Sequence, residues 1–502
     1  MIRFAHLMKV CILISLIMFC GLRGFAQNRF PHSRLIEKQF SNSEHPKSLF
    51  EEPVKQKFNS SYKTYSFHGF AELGLKQDTR HDTPTENELT VRSKVRLKLK
   101  WQPALRNPTN TSSLKLGDVT LVASLQSDYL WFGPQEATDD YDIDLFEGYV
   151  RVAHDPVEIT VGKQIVRWGK TDQISPVDNV NPQDFREFIT VDYEDRKIPV
   201  FMTRALVSLD FITLEGIYIP FFEPSEIDYY GTDWAVYQHL KVDTKRSNMP
   251  PAFKDYVLSR EVDENEPAKT LKNGELGFRI TTTVHDWDMG LSYMYTWEDL
   301  PYYASFPIKN IKVKDSASFG NIEENLQSAI ITNENVRVEY KRCNIAGFEF
   351  ESTLGSIGLR GEFAYFSHQS LLNSSLTSSE TPVYHYVLGI DYTGVNEWYI
   401  NFQISHQILD NYSDEILYFK KHNVFLNGEI RKDLWNGDIT CKVRYNIGLT
   451  EKSYYLNPCV ILKYFSNLET TLGVDLLGGE ADTLLGYYDK SDQYYVDFKY
   501  IY

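Results

Sequence analysis

A period of two sets in near Ser66 and runs to the end of the chain, and no other feature limits the fold so tightly. It is clearest over residues 89–101. Leu89, Val91, Val95, Leu97, Leu99 and Trp101 fall on one face, and Thr90, Arg92, Lys94, Arg96, Lys98 and Lys100 on the other. Successive side chains of a β-strand point to opposite faces, so this segment has one apolar and one cationic surface. The pattern recurs over 119–131, 287–297, 357–365, 398–404 and 439–447, with aromatic residues mainly at the ends of each stripe. Rings in those places suit the two membrane–water interfaces.

Composition agrees with strands that give only alternate residues to lipid. The chain is 42% hydrophobic yet carries 33 Tyr, 30 Phe and 8 Trp. A helical membrane protein would be far more apolar. No stretch beyond the N-terminus reaches the roughly 18 consecutive apolar residues of a spanning helix.

The first residues read as an export signal. Arg3 and Lys9 precede an apolar run over 10–20, and Gly24 and Ala26 set up cleavage before Gln27. The run is too short to span a bilayer. Bulky Phe19 argues against lipidation of Cys20. Loss of residues 1–26 removes Arg3, Lys9 and Arg23 and takes the net charge from −16 to −19. Such an acidic chain is a poor nucleic-acid partner. Cys343, Cys441 and Cys459 remain, and three thiols build neither a disulfide framework nor a zinc motif. Residues 27–63, with Pro31, Pro46 and Pro53 and no sustained period, read as a periplasmic leader.

Connections between the stripes alternate in length. Short ones fall near 154–156, 210, 284–286, 355–356, 394–396 and 434–437, and long ones at 168–197, 220–273, 299–341, 368–382, 408–421 and 478–491. Short turns on one side and long loops on the other are the mark of an outer-membrane barrel, the long loops lying outside the cell. The gap 102–117 is long where a short turn is needed. The expected architecture is all-β: a transmembrane antiparallel barrel of about eighteen strands, within sixteen to twenty, over residues 64–502. Its last segment, 494–502, places Tyr494, Val496, Phe498, Tyr500 and Tyr502 on one face. It is similar to the C-terminal strand signal read by barrel-assembly machinery. A secreted β-sandwich or solenoid is the alternative, and neither explains loops long on one side only. Outer-membrane lipid and lipopolysaccharide are the expected surroundings.

Closure pairs every strand edge, since lipid supplies no hydrogen-bond partner, and sends the polar faces to the lumen. Arg92, Lys94, Arg96, Lys98 and Lys100 become a ladder of cations on one wall. Arg279, Arg360, Lys442, Arg444 and Lys499 join it from other strands. Luminal acids include Glu72, Glu147, Glu215, Glu362, Asp391, Glu429 and Asp475. A hairpin turning through 77–87 places Glu72 near Arg92. Two readings stay open: a transverse field selecting anionic or zwitterionic solutes, or cross-strand pairing that merely keeps the interior wet.

Residues 162–197 are the most distinctive stretch. A Gly-x-Gln strand enters Trp168-Gly169, followed by Asp178, Asn181-Pro182, Asp184, Arg186-Glu187 and Glu194-Asp195-Arg196 before Pro199. In these residues, and in 214–224, the chain resembles an uncharacterised family of proteobacterial outer-membrane proteins, domain-of-unknown-function family 1302. The resemblance implies a barrel with a role in envelope transport and brings no settled substrate. Acids and bases are mixed through this loop, and Pro176, Pro182 and Pro199 restrict its backbone. It either folds inward as a constriction cross-linked by Arg–carboxylate pairs, or shields the rim from outside. The candidate constriction residues are Arg167, Trp168, Asp178, Asn181, Pro182, Asp184, Arg186, Asp195 and Arg196.

Other motifs carry less. Gly169-Lys170-Thr171 ends like a phosphate loop, but Gln164 stands where its first Gly belongs. Asp139, Asp140, Asp142 and Asp144 have calcium-like spacing without the turn Gly. Neither HExxH nor GxSxG occurs, and no cofactor, metal or enzymatic activity is expected. The leading expectation is a porin-like channel for a small anionic or zwitterionic solute. A plugged carrier of amphiphiles is the second, its cue a pocket formed by Trp168, Phe185, Phe188, Phe221 and Phe222. A non-transporting surface protein is the third.

Overall fold

The computed structural model describes residues 64–79, 89–103, 118–133, 138–246, 248–312, 329–394, 397–480 and 482–502. The expected signal peptide, the leader and the anomalous gap 104–117 lie outside them. Alternation does what the sequence requires. On the second strand Leu97, Leu99 and Trp101 face outward and are exposed, while Arg92 and Arg96 face inward and are buried.

Eighteen such strands form one sheet. In chain order they are β1 (Thr64–Asp78), β2 (Leu89–Gln102), β3 (Asp118–Gly133), β4 (Thr138–His154), β5 (Val157–Gln164) and β6 (Val200–Ser208). Next come β7 (Ile212–Ile219), β8 (Glu275–Val284), β9 (Trp287–Trp297), β10 (Arg342–Leu354), β11 (Ile357–Leu372) and β12 (Ser378–Thr393). The last six are β13 (Trp398–Leu409), β14 (His422–Leu434), β15 (Ile439–Gly448), β16 (Ser453–Phe465), β17 (Leu468–Gly478) and β18 (Gln493–Ile501). Each strand pairs antiparallel with the next. β18 returns to β1, with Ile501 opposite Phe70 and Gln493 opposite Asp78, and the ring is closed. Closure leaves no unpaired edge for lipid to face. No described helix is long and apolar enough to cross a membrane. The chain is an outer-membrane-type β-barrel that crosses with strands.

The register corrects one expectation. Glu72 lies opposite Lys94, and Arg92 lies opposite Gly74. The first connection covers 79–88 rather than 77–87, which moves the pairing by two residues and keeps every side chain on its predicted face. A second irregularity sits between β3 and β4. Ser124 opposes Glu147 and Leu125 opposes Leu145, so Phe146 is the extra residue of a β-bulge.

The long connections on the far side carry structure of their own. Residues Val262–Asn265, Tyr302–Ser305 and Val336–Glu339 form a three-stranded sheet. Beside it are helices at Gln238–Arg246 and Pro251–Leu258. Tyr237 packs on Tyr303 at 5.6 Å and Phe306 at 5.8 Å, giving this cap its own apolar core.

Candidate functional site

Residues 165–199, between β5 and β6, fold into the barrel and are held on both sides of it. Two arms of the loop do this differently.

The first arm, 169–177, grips β10 and β11. Gly169 has φ of +90°, and a Cβ there would lie 2.4 Å from Ser175 Oγ and 2.6 Å from Glu362 Oε1, so only glycine fits. The turn it permits wraps the Glu362 carboxylate. The backbone N–H groups of Lys170 and Thr171 donate to Oε1 at 2.6 Å each, and the Thr171 hydroxyl donates at 2.7 Å. Val177 N–H donates to Oε2 at 3.0 Å, and Ser175 Oγ at 2.9 Å. Gly169 N–H donates to Glu349 at 2.7 Å. The Gly-Lys-Thr turn therefore does cradle an oxyanion, the barrel's own Glu362. Asp172 reaches further, accepting from Arg360 at 3.2 Å, Asn401 at 3.1 Å and Gln403 at 3.2 Å.

The second arm, 184–192, is bound by ions. Arg92 pairs with Asp128 and Asp184 at 2.7 Å each and with Glu187 at 2.5 Å. Lys76 adds a second cation to Glu187 at 2.6 Å. Arg186 pairs with Asp184 and Glu226 at 2.9 Å each, and with Asp140. Asp192 pairs with Arg444, and with Lys442 at 3.5 Å. Burial pushes the Glu187 carboxyl up, but Lys76 and Arg92 outweigh it and bring it down to about 2. Burial likewise raises Asp184, and Arg92 with Arg186 overrides it and holds the group well below the usual carboxylate range.

Between the arms lies a buried knot. Lys197 pairs with Asp178 at 2.9 Å with neither side chain exposed. Tyr193 Oη donates to Asp178 at 2.9 Å, and Trp168 N–H at 3.2 Å. Asn181 accepts from Val166 N–H at 2.8 Å and donates to Gln164 and Ile198 carbonyls at 3.1 and 2.9 Å. Pro182 carbonyl accepts from Ile198 N–H at 2.9 Å. Trp168 is 0% exposed, and its ring fits because Gly277 on β8 has no side chain; a Cβ there would lie 2.8 Å from the indole. Arg167 pairs with Glu194 and donates to Thr171 carbonyl at 2.6 Å. Arg196 is buried with its guanidinium 5.2 Å from the Phe185 ring and 5.5 Å from Tyr193, and burial lowers it to about 10.

The cation ladder is spent unevenly. Arg92 is neutralised by the loop and by Asp128, and Lys98 pairs with Glu147 at 2.6 Å. Lys94 and Arg96 between them have no carboxylate within 4 Å among the described residues. The loop's Asp195 is exposed, has no ion-pair partner among the described residues, and lies within electrostatic reach of Arg96 and Lys499. Lys100 shares the ladder's inward face. Elsewhere Glu72 pairs with Lys499 at 3.4 Å, and Arg279 pairs with Glu349 and, at 3.6 Å, with Glu215. Arg360 also pairs with Asp391, and Arg444 donates to Tyr455 Oη at 2.8 Å.

Glu349, Asp128, Lys76 and Phe146 were not singled out from the sequence, and Glu362 was seen only as one luminal acid among seven. Period two places each wall residue indoors but says nothing of which segment crosses to meet it. The five candidates for an amphiphile pocket do not assemble. Trp168 sits in the core, Phe185 lies by Arg196, and Phe188 packs on Trp234 and Tyr488. Phe222 packs on Trp297 and Tyr340, and Phe221 is exposed. Of the acidic run, Asp140 is taken by Arg186 and Asp144 by Lys163.

Solved structures similar to the chain are outer-membrane porins. OccAB3 of Acinetobacter baumannii has 10% identity and a TM-score of 0.45, covering 88% of this chain and 99% of its own. OccK5 of Pseudomonas aeruginosa has 9% identity and a TM-score of 0.45, covering 88% and 97%. OmpF of Salmonella typhi, in complex with daunomycin, has 9% identity and a TM-score of 0.39, covering 87% and 97%. These likenesses are loose, and the barrel rests on its own strand pairing. Curated proteins give no significant match. The family model described as protein of unknown function (DUF1302) matches residues 94–472, and the chain belongs to that family.

Proposed function

We propose that the protein is an outer-membrane channel for small anionic or zwitterionic solutes, with residues 168–197 as its constriction. The observation that carries this reading is the pinned loop. It is tied to β1 and β2 by buried ion pairs, to β15 by the pair of buried Arg444 with exposed Asp192, and to β10 and β11 by the Glu349 and Glu362 carboxylates. What it leaves facing the remaining gap is charged on both sides: Asp195 on the loop, Lys94 and Arg96 on the wall. Opposed charges across a narrow wet gap orient a zwitterion, and the excess of unspent cations on the wall favours an anion.

Purified protein in planar bilayers is expected to show discrete conductance steps with anions more permeant than cations. Deleting 170–196 should raise the conductance and weaken that preference, and K94Q/R96Q should abolish it. Absence of conductance in both the full chain and the deletion would overturn the reading.

A further inference from the structure

We infer that Arg96, with Lys94 beside it, is a docking point for planar oxyanions, carboxylates above all, just inside the constriction. The inference rests on the channel reading and adds the solute's recognised group.

Arg96 is 8% exposed, yet its guanidinium has no anionic partner within 4 Å among the described residues. Nε and Nη2 both donate to Gln126 Oε1, at 2.9 and 2.5 Å, which fixes the plane of the group. The Phe146 ring covers it at 3.6 Å, and the Phe70 ring lies 5.1 Å away. Phe146 reaches this position because it is the extra residue of the β4 bulge, a device that re-aims a side chain by locally bending the strand. One edge of the guanidinium is thus taken by Gln126 and one face by a ring. The edge that carries Nη1 has no partner among the described residues.

A buried guanidinium with no carboxylate in contact is undercompensated: Asp195, Glu147, Glu72 and Asp128 act on Arg96 only from beyond 4 Å, and a bound anion would supply the missing contact. The neighbouring cations show the contrast. Arg92, four residues earlier and about 13 Å along the strand, holds three carboxylates, and Lys98 holds Glu147. Among the described residues only the middle of the ladder, Lys94 and Arg96, has no carboxylate within 4 Å, directly inside the level at which the loop's second arm is tied. A stacked, in-plane guanidinium matches the two oxygens of a carboxylate, whereas a spherical anion gains only a point charge. Lys94, on the same face two residues away, adds charge without shape. Asp195 opposite disfavours a second negative charge and suits an ammonium group on the same solute.

Two measurements separate this inference from the channel reading. The first is ¹⁹F NMR titration of 4-fluorobenzoate into the full-length protein in detergent micelles, with heat-modifiable gel migration confirming each variant as a folded barrel. Wild type is expected to bind. Arg96→Lys keeps the charge but loses the fork, and should weaken binding about tenfold, the effect of one charge-assisted hydrogen bond. Phe146→Ala leaves charge, fork and the Gln126 bonds in place, uncovers one face, and should weaken it less. The second is reversal potential in bilayers with benzoate against chloride, where wild type should prefer benzoate and Arg96→Lys should lose that preference while remaining anion-selective. Wild type that does not bind fluorobenzoate, or Arg96→Lys that binds it equally, would overturn the inference. Conductance without a benzoate preference would overturn it too and leave the channel reading intact. A channel that fails to conduct sinks that reading alone, and the micelle titration still decides this one.

Discussion

The two arms of the inner loop reach opposite kinds of anchorage. On β11, five donors from 170–177 converge on one carboxylate, Glu362, and among the described residues only the Thr171 hydroxyl has a second acceptor, the Ile174 carbonyl. On the other side the ties are shared. Glu187 has both Arg92 and Lys76, Asp184 has both Arg92 and Arg186, and Asp192 has both Arg444 and Lys442. A single hub gives a fixed geometry and fails all at once. A network of shared ions loses one member and relaxes, because each remaining charge keeps a partner.

The largest expected effect therefore belongs to Glu362→Ala. It strands several buried N–H and O–H donors at about 1–3 kcal/mol each, so the first arm loses on the order of 5 kcal/mol. Amide exchange over 169–177 should speed by about a hundredfold or more. Single-channel conductance should rise and become noisy. Unchanged exchange in this segment would show that the arm is held by the Glu349 and Asp172 contacts instead.

Arg92→Ala sharpens the contrast from the other side. Removing one partner of a buried ion pair usually costs about 3–5 kcal/mol. Here the cost should fall below that range, because Lys76 still holds Glu187 and Arg186 still reaches Asp184 at 2.9 Å and Asp128 at 3.6 Å. Exchange over 184–192 should speed by less than in the Glu362 variant over 169–177. The double variant Lys76→Met/Arg92→Ala should lose more than the sum of the two single changes, since Glu187 is then buried with no cation. Additive losses would show that the second arm is not a shared network.

The wall was legible in the sequence and the crossing was not, for a physical reason. Alternation is a local property, so the inward side of Arg92, Arg279, Arg360 and Arg444 followed from period two alone. The spacing of turns gave about eighteen strands, with sixteen to twenty open, and the ring has eighteen. The hydrogen bonds from Thr171 to Glu362 and the ion pair from Glu187 to Arg92 join residues 191 and 95 positions apart in the chain. No periodicity encodes them. The sequence did mark the loop as unusual, through Gly169, Pro182 and its mixed charges. It could not tell that Trp168, Asp178 and Asn181 would serve an inner knot while Asp195 stayed exposed. Phe146 was hidden for a different reason: a bulge breaks the alternation that made everything else readable.

Acid separates the arms most finely. The second arm depends on Glu187, Asp184 and Asp192. Burial opposes ionisation of the first two, yet their cations win, and Lys442 and Arg444 hold Asp192 down as well. A carboxyl whose folded value is depressed stabilises the folded arrangement above its ordinary value, and that stabilisation is lost as pH falls through the folded value. Free glutamate titrates near 4.3, and Glu187 in place at about 2. Conductance should thus be flat from neutral pH down to about 5, and rise only below about 4 as the second arm loosens. Arg92→Ala removes one of the two cations that keep Glu187 ionised, and should move that rise to higher pH. A wild-type transition centred near neutrality, or an Arg92→Ala transition unmoved from wild type, would mean that the ion pairs do not set the position of the loop.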